Sequence, residues 1–308
     1  MNKPVNVRIA EFCNYHKTGD GECNGVLLRA YADEKHLTAA ERFDLAYFFA
    51  VCYCIPSAIL MFNERDSIRN DPQTYAERRK SDIIFQSDRK YVRCRDCFVR
   101  MLHCWRERVN FDSYIKATVH GGAIDFDKAF SITTNWYFFG RFGAFLFIET
   151  LCRLCDYKTP EGKLRWEDGD TATSGLFNVF GADGAADFFD KTDKLPRGAT
   201  QEKLDALLKR LLNRIRVTGG STSIAEVETS LCAYRKFYKG TRYNGFYLDR
   251  QLEELNALKN VPQYANICSD LFALRAGLFD KRYLGEVGGW KGIRKECKTL
   301  YKRTGEVM

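Results

Sequence analysis

The feature that most constrains the fold is an uncharged segment, LAYFFAVCYCIPSAILMF, at residues 45–62. Its length approaches that of a membrane-spanning helix, but Pro56 and Ser57 lie in its second half and both charge signs flank it. A segment that is apolar on every side is also typical of a helix buried in the core of a large domain. The capping box formed by Thr38 and Glu41 predicts where this helix begins. We therefore predict a soluble protein built around a buried central helix.

The rest of the chain predicts further helices. Only 6 of the 308 residues are proline, and strand signals are few, since neither regular βαβ spacing nor a hairpin turn between alternating segments occurs. The predicted helical segments are 72–109, 125–131, 136–155, 201–216, a segment from 223 towards 240, and a final helix at 247–258. Apolar residues recur with helical spacing most clearly in 201–216. A second capping box, Ser223 with Glu226, begins the next helix.

These segments predict an all-α fold. We expect one helical catalytic domain over residues 1–308, with a loop-rich insertion around 157–200 and a basic C-terminal tail at about 281–308. The formal charge of +8 is mildly basic, which is compatible with a phosphate-bearing partner. The chain contains no P-loop, HExxH, GxSxG or dinucleotide-binding motif. Its four histidines are scattered, so a histidine-centred triad has little support.

Twelve cysteines include two CxxC pairs, Cys94 with Cys97 and Cys152 with Cys155. This spacing occurs in zinc sites, but both pairs lie in helix-like sequence without the glycine turns of a zinc knuckle. The N-terminal residues lack the apolar core of a signal peptide, which favours reduced thiols in a cytosol. Buried free thiols are therefore the favoured interpretation, zinc is the alternative, and we predict no resident metal.

Two basic and aromatic stretches are candidate binding sites. In the first, NWYFFGRFG at residues 135–143, Arg141 interrupts an apolar segment. An arginine in the middle of such a helix needs an anion beside it, either a ligand or a carboxylate such as Glu149. The flanking glycines would let a ligand or another backbone approach closely. The sequence leaves both interpretations of Arg141 open.

The second stretch is AYRKFYKGTRYNGFYLDR, residues 233–250. Helical spacing places Glu228, Cys232 and Arg235 on one face. The glycines of residues 240–245 predict a turn that carries Arg242. Arginine binds phosphate oxygens and tyrosine stacks on bases, although a basic helix end with aromatic core contacts would produce the same pattern.

Two stretches together resemble the bacteriophage α-glutamyl/putrescinyl thymine pyrophosphorylases: Phe-Gly-Arg-Phe ahead of an apolar helix, and the pattern from Val227 to Arg250. These enzymes are also described as amino acid:DNA transferases. The resemblance covers about residues 40–255. It implies a fold related to helical, helix-hairpin-helix DNA glycosylases, although residues 217–221 only distantly match the glycine-rich hairpin of those enzymes. It also implies an enzyme that works in the cytoplasm of an infected bacterial host. Its partners would be double-stranded phage DNA and an amino acid or polyamine.

The implied reaction displaces pyrophosphate from 5-pyrophosphoryloxymethyl-deoxyuridine in DNA and attaches the amine. The base would be flipped out and held against aromatic faces, cations would stabilise the leaving pyrophosphate, and a carboxylate would accept the proton of the amine. No cofactor is expected, and a divalent metal on the pyrophosphate is compatible with this chemistry. The alternatives are a non-catalytic helical DNA-binding protein and a glycosylase that acts on a modified base.

The resemblance and this chemistry together give each candidate residue a role. The aromatic candidates are Trp136, Tyr137, Tyr243 and Tyr247, with Asn135 beside them. The candidate cations are Arg141, Lys236, Arg242 and Arg250, and Arg235 is the candidate for gripping an amino-acid carboxylate. The candidate bases are Glu228 and Asp249, with Glu149 and Glu64 in reserve.

Overall fold

A computed structural model describes residues 12–13, 23–86, 92–158, 170–181, 201–217, 224–238 and 246–279. Of these residues, 81% lie in helices and 2% in strands, which confirms the all-α prediction. The relationship to helical glycosylases stays a prediction. The elements are α1 (Cys23–Glu34), α2 (Ala39–Cys52), α3 (Ile55–Asn63), α4 (Arg65–Asn70), α5 (Pro72–Arg79), α6 (Arg95–Arg108), α7 (Phe111–Thr118), β1 (Val119–His120), β2 (Ala123–Ile124), α8 (Phe126–Thr134), α9 (Arg141–Cys155), α10 (Asp170–Gly181), α11 (Gln201–Val217), α12 (Ile224–Tyr238), α13 (Phe246–Leu258), a 3₁₀ turn (Pro262–Tyr264) and α14 (Ala265–Leu278).

Contacts between Cα atoms divide the chain into two compact units. Unit 1 takes its residues from 1–23, 163–250 and 279–308, and unit 2 from 24–162 and 251–278. The boundary at residue 250 falls within α13. Compactness alone does not decide whether a unit folds independently, so the single-domain prediction stays a prediction.

The uncharged segment forms two helices, so the prediction of one central helix is wrong in this detail. Helix α2 ends where Tyr53 takes a left-handed conformation, with φ of 55°. Pro56 then lies in the first turn of α3, where a missing N–H removes no helical hydrogen bond. The capping box is confirmed: the Thr38 hydroxyl accepts from the Glu41 amide, and the Glu41 carboxylate accepts from the Thr38 amide. No helix among the described residues is long and apolar enough to cross a bilayer.

An aromatic cluster forms the core of unit 2. Helix α2 packs against α3 and α9, and the rings of Phe43 and Phe147 meet edge to face with centroids 5.3 Å apart. Trp136 and Tyr114 complete this cluster. Such edge-to-face pairs contribute about 0.5–1.5 kcal/mol each beyond the burial of their surface.

Several predicted boundaries in unit 2 shift. The segment 72–109 contains two helices, α5 and α6, and the helix predicted at 136–155 begins only at Arg141. Helix α8 confirms the short helix predicted at 125–131. A small antiparallel hairpin precedes it, because Gly121 and Gly122 both adopt positive φ, 58° and 76°, as a tight hairpin turn requires.

Helix α14 contradicts the prediction that 247–258 is the final helix. The 3₁₀ turn ahead of it buries Tyr264, whose hydroxyl lies 3.1 Å from the Ser57 hydroxyl and donates to the Asp82 carbonyl at 2.8 Å. One buried phenol therefore holds three parts of unit 2 together. The predicted basic tail lies outside the described residues.

Unit 1 contains α10, α11 and α12. Helix α11 confirms the predicted apolar stripe, because Leu204, Leu208 and Leu211 are all buried. Helix α10 lies inside the segment predicted to be loop-rich, and the rest of that insertion after residue 158 is outside the described residues. A Cβ at Gly175 would overlap the backbone carbonyl of Leu231, so this glycine lets α10 and α12 pack closely. The second capping box also falls outside the described residues.

Candidate functional site

Residues 135–142, here called the aromatic turn, connect α8 to α9 in unit 2. Phe138 has a φ of 64°, a conformation that costs a bulky residue about 1–3 kcal/mol. Its side chain is 39% exposed, and that of Phe142 is 41% exposed. The Phe142 ring meets Tyr53, another left-handed residue, with centroids 5.5 Å apart. Phe138 thus combines strain with exposure, and the exposed Phe142 contacts the strained Tyr53. Such strain is often retained at functional sites.

Two buried rings fix the aromatic turn to the core. Trp136 is only 6% exposed, and Phe139 stacks on Tyr47 with centroids 5.0 Å apart. Asn135 caps the end of α8 and donates from Nδ2 to the Ser131 carbonyl at 2.9 Å. Trp136 therefore lies in the core, so within this turn the exposed rings of Phe138 and Phe142 are better placed for a base.

Arg141 is the first residue of α9, whereas the sequence placed it in the middle of an apolar helix. The helix begins only after the turn that holds the buried rings of Trp136 and Phe139. Its guanidinium carbon lies 4.5 Å from the centroid of the Phe145 ring. Gly140 caps the helix and has no side chain to bond the first amides. A cation at the positive end of a helix is unfavourable by itself. An anion there would be stabilised both by the Arg141 guanidinium and by the amides of the first turn of α9.

Tyr137 faces α6, an arrangement that the sequence did not predict. The guanidinium carbon of Arg100 lies 4.2 Å from the Tyr137 ring centroid. The Tyr137 amide donates to the Cys104 sulfur at 3.4 Å. Burial is the main cause of the raised pKa of Tyr137, and the positive charge of Arg100 opposes it. Arg100 is thus a missed neighbour of the predicted site, and no local pattern links it to Tyr137.

Unit 1 contains the second set of predicted residues. Glu228 is buried in α12 at 6% exposure, and its carboxylate accepts from the Cys232 thiol at 3.5 Å. Arg235 and Lys236 in the last turn of the same helix are half-buried. A buried carboxylate needs compensating partners, which is compatible with either a structural or a catalytic Glu228.

The start of α13 supplies the remaining described candidates. Asp249 is buried at 9% exposure, whereas Tyr247 and Arg250 are half-buried. The Tyr247 ring meets Phe246 edge to face with centroids 5.5 Å apart. Arg242 and Tyr243 lie outside the described residues.

The predicted residues therefore form two groups. Unit 2 holds Asn135, Trp136, Tyr137 and Arg141 within one turn, and unit 1 holds Glu228, Arg235, Lys236, Tyr247, Asp249 and Arg250 on two helices. The two reserve carboxylates also belong to unit 2. Glu149 is half-buried within α9, and Glu64 accepts from the Nε of Arg79 at 3.0 Å.

The described cysteines are free thiols. Among the described residues, no group of three or more histidine, cysteine, aspartate or glutamate side chains could hold a metal ion. A comparison with models of known protein families and with curated protein sequences found no match to this chain.

Proposed function

We propose that this protein is a DNA-base-modifying transferase, which displaces pyrophosphate from 5-pyrophosphoryloxymethyl-deoxyuridine in DNA and attaches an amino acid or a polyamine. The observation that carries the proposal is the aromatic turn, where exposed phenylalanines flank an arginine at the start of a helix. A flipped base needs an aromatic face, and the pyrophosphate on its methylene needs cationic and amide donors close by.

The chemistry is a substitution at the exocyclic methylene carbon. The neutral amine nitrogen attacks this carbon while the bond to the pyrophosphate oxygen breaks, and the nitrogen then loses a proton. Arg141 and the first amides of α9 stabilise the charge that develops on the leaving pyrophosphate. Phe138 and Phe142 hold the base, and Trp136 supports the turn from the core.

Unit 1 contains the other residues for which the sequence predicts a role in this chemistry. Glu228 and Asp249 are the proposed proton acceptors, since both are buried carboxylates. Arg235, Lys236 and Arg250 are proposed to bind the carboxylate of the amino acid or the DNA phosphates. The substitutions Glu228→Gln and Asp249→Asn test which carboxylate accepts the proton. The variant that lacks the base should lose turnover, and the other variant should keep it.

The direct test uses the full chain with a duplex that carries the activated nucleoside and a panel of amines. Free pyrophosphate and a heavier nucleoside, measured by mass spectrometry, are the expected products. An abasic site would identify a glycosylase instead, and binding without any product would identify a DNA-binding protein. Either outcome would reject the transferase proposal.

Arg141→Ala tests the proposed anion site. Loss of one transition-state donor should lower kcat by about 100-fold, with DNA affinity changed much less. Arg108→Ala removes the same charge from an exposed position at the end of α6 and is the matched control. If Arg141→Ala only weakens DNA binding and reduces the salt slope by about one, Arg141 is a phosphate contact and not part of the chemistry.

Phe138→Gly separates the role of the ring from the stability of the turn. Glycine adopts positive φ without strain, so the variant should be as stable as the wild type or more stable by about 1 kcal/mol. Loss of a stacking face should nevertheless weaken binding of the modified duplex by about 1–3 kcal/mol. Thermal unfolding and titration with the duplex measure the two effects. Unchanged affinity would remove Phe138 from the proposed site.

A further inference from the structure

The pair Cys94 and Cys97 occupies the beginning of α6, and the function proposed above does not use it. Cys94 is the N-cap residue, with φ of −65° and ψ of 130°, and is exposed to solvent. Cys97 is the third residue of the helix and is half-buried. The Cys94 side chain forms no cap hydrogen bond. The N-cap and the third helical position nevertheless lie within one turn of each other on the same side of a helix start, and the Cys97 thiol and amide act on the Cys94 thiol. The two thiols are therefore neighbours at the beginning of α6.

The surroundings make the two sulfurs unequal. The Cys97 amide, then the Cys97 thiol and the Asp96 amide, lower the pKa of Cys94, and the Asp96 charge opposes them weakly. Burial, followed by the neighbouring Cys94, raises the pKa of Cys97, against the Tyr137 hydroxyl and the charge of Arg100. The exposed sulfur is therefore the better thiolate, and the more buried one keeps its proton.

We propose that Cys94 and Cys97 form a redox-active dithiol that reduces disulfide substrates by thiol–disulfide exchange, with Cys94 as the attacking sulfur and Cys97 as the resolving sulfur. The proposal rests on the positions of the two thiols within the first turn of α6 and on their difference in exposure, and it does not depend on the transferase function. Because Cys94 is exposed, a small or protein disulfide can reach it, and the position of Cys97 behind it favours an intramolecular second step.

The exchange proceeds in two balanced steps. The Cys94 thiolate attacks one sulfur of the substrate disulfide, the substrate S–S bond breaks, and the departing sulfur leaves as a thiolate that takes up a proton. Cys97 then loses its proton and attacks Cys94, which releases the second substrate thiol. The protein dithiol loses two electrons, and the substrate disulfide gains them.

Oxidised glutathione is the probe for a direct test with the reduced full chain. We expect a Cys94–Cys97 disulfide to form faster than any other oxidation product. Thiols that remain free are alkylated, and the protein is digested. Trypsin cuts after Arg93, Arg95 and Arg100, so this disulfide joins two short peptides that mass spectrometry identifies.

Single variants assign the roles of the two sulfurs. Cys97→Ser should trap glutathione on Cys94, whereas Cys94→Ser should form a mixed disulfide on Cys97 at least about 10-fold more slowly. Cys104→Ser is the matched control, because Cys104 lies on the same helix beside Tyr137 but outside the pair. This variant should keep the Cys94–Cys97 disulfide.

Three outcomes would overturn the proposal. The first is a wild-type protein that retains a mixed disulfide on Cys94 without forming the internal bond. The second is oxidation of another cysteine as fast as Cys94. The third is a Cys104→Ser variant that no longer resolves the mixed disulfide, which would assign the resolving role to Cys104.

Discussion

The two CxxC pairs have the same spacing and lie at opposite ends of their helices. Cys94 and Cys97 begin α6, whereas Cys152 and Cys155 lie in the last turn of α9. Burial raises the pKa of Cys155 to about 11 despite the nearby positive charges of Arg42 and Arg29, and it raises the pKa of the more deeply buried Cys152 further. The exposed Cys94 has a pKa below its ordinary value.

This difference shows that the position of a thiol on its helix determines its chemistry more than the spacing does. The amides at the start of α6 lower the pKa of Cys94, and burial at the end of α9 raises the pKa values of Cys152 and Cys155. Cys155 is the last residue of α9, directly before Asp156. The sequence presents both pairs as equivalent, whereas the structure exposes Cys94 at the beginning of α6 and places Cys152 in the core, with Cys155 half-buried beside it.

The largest expected contrast is in alkylation. At pH 7 we expect iodoacetamide to modify Cys94 about 100-fold faster than Cys152 or Cys155, because only the thiolate reacts and the latter two are protonated and less accessible. The Cys94 rate should rise with pH and level off at a lower pH than for an ordinary thiol, because its pKa is lowered, whereas the Cys155 rate should still be rising towards pH 11. Peptide mass spectrometry over a time course measures both. Equal rates at the two pairs would contradict the role given to helix position.

A smaller contrast is expected in stability. Cys152→Ser places a hydroxyl in the apolar core and should lower the free energy of unfolding by about 1–2 kcal/mol. Cys94→Ser should leave it unchanged, because serine is a good N-cap residue at an exposed position. Urea unfolding of both variants provides the comparison. A strongly destabilised Cys94→Ser would mean that Cys94 is structural and not a reactive surface thiol.

The smallest effect is expected from Asp96→Asn. Removing this negative charge should lower the pKa of Cys94 slightly and increase its alkylation rate at pH 7 about 2-fold. Because both groups are exposed, added salt should screen this effect. Asp112→Asn, in the first turn of α7, is a control with the same charge change. A slower reaction of Asp96→Asn would show that the carboxylate does not oppose the thiolate.

The parts of the fold that the sequence predicted depend on local patterns. The capping box at Thr38 and the apolar stripe of α11 involve residues within one or two turns of each other, so sequence alone identifies them. The break at Tyr53 and the start of α9 at Arg141 depend on rings packed from other helices. Helix α14 was missed because Arg275 lies on its buried side, where it donates to the Gln251 side chain, and blurs the apolar pattern.

The candidate site shows the same limit. The sequence identified the residues of the aromatic turn because basic and aromatic types alternate there. It could not tell that Trp136 is buried and Phe138 is exposed. The left-handed conformation at Phe138 interrupts the predicted helix, so helical spacing does not predict which of these side chains face the core. Neither the Arg100–Tyr137 contact nor the cap position of Cys94 follows from spacing, because both need the true limits of α6 and α9.

The buried hydroxyl of Tyr264 also constrains how the chain is made. Its partners Ser57 and Asp82 lie 207 and 182 residues earlier in the sequence. During synthesis the ribosome must therefore translate all of the segment 163–250 before unit 2 can acquire its last contacts. Until then the core of unit 2 is incomplete, and contacts between residues so far apart in sequence form slowly. Truncation before residue 264 should thus expose apolar surface in the first half of the chain and increase its dependence on chaperones.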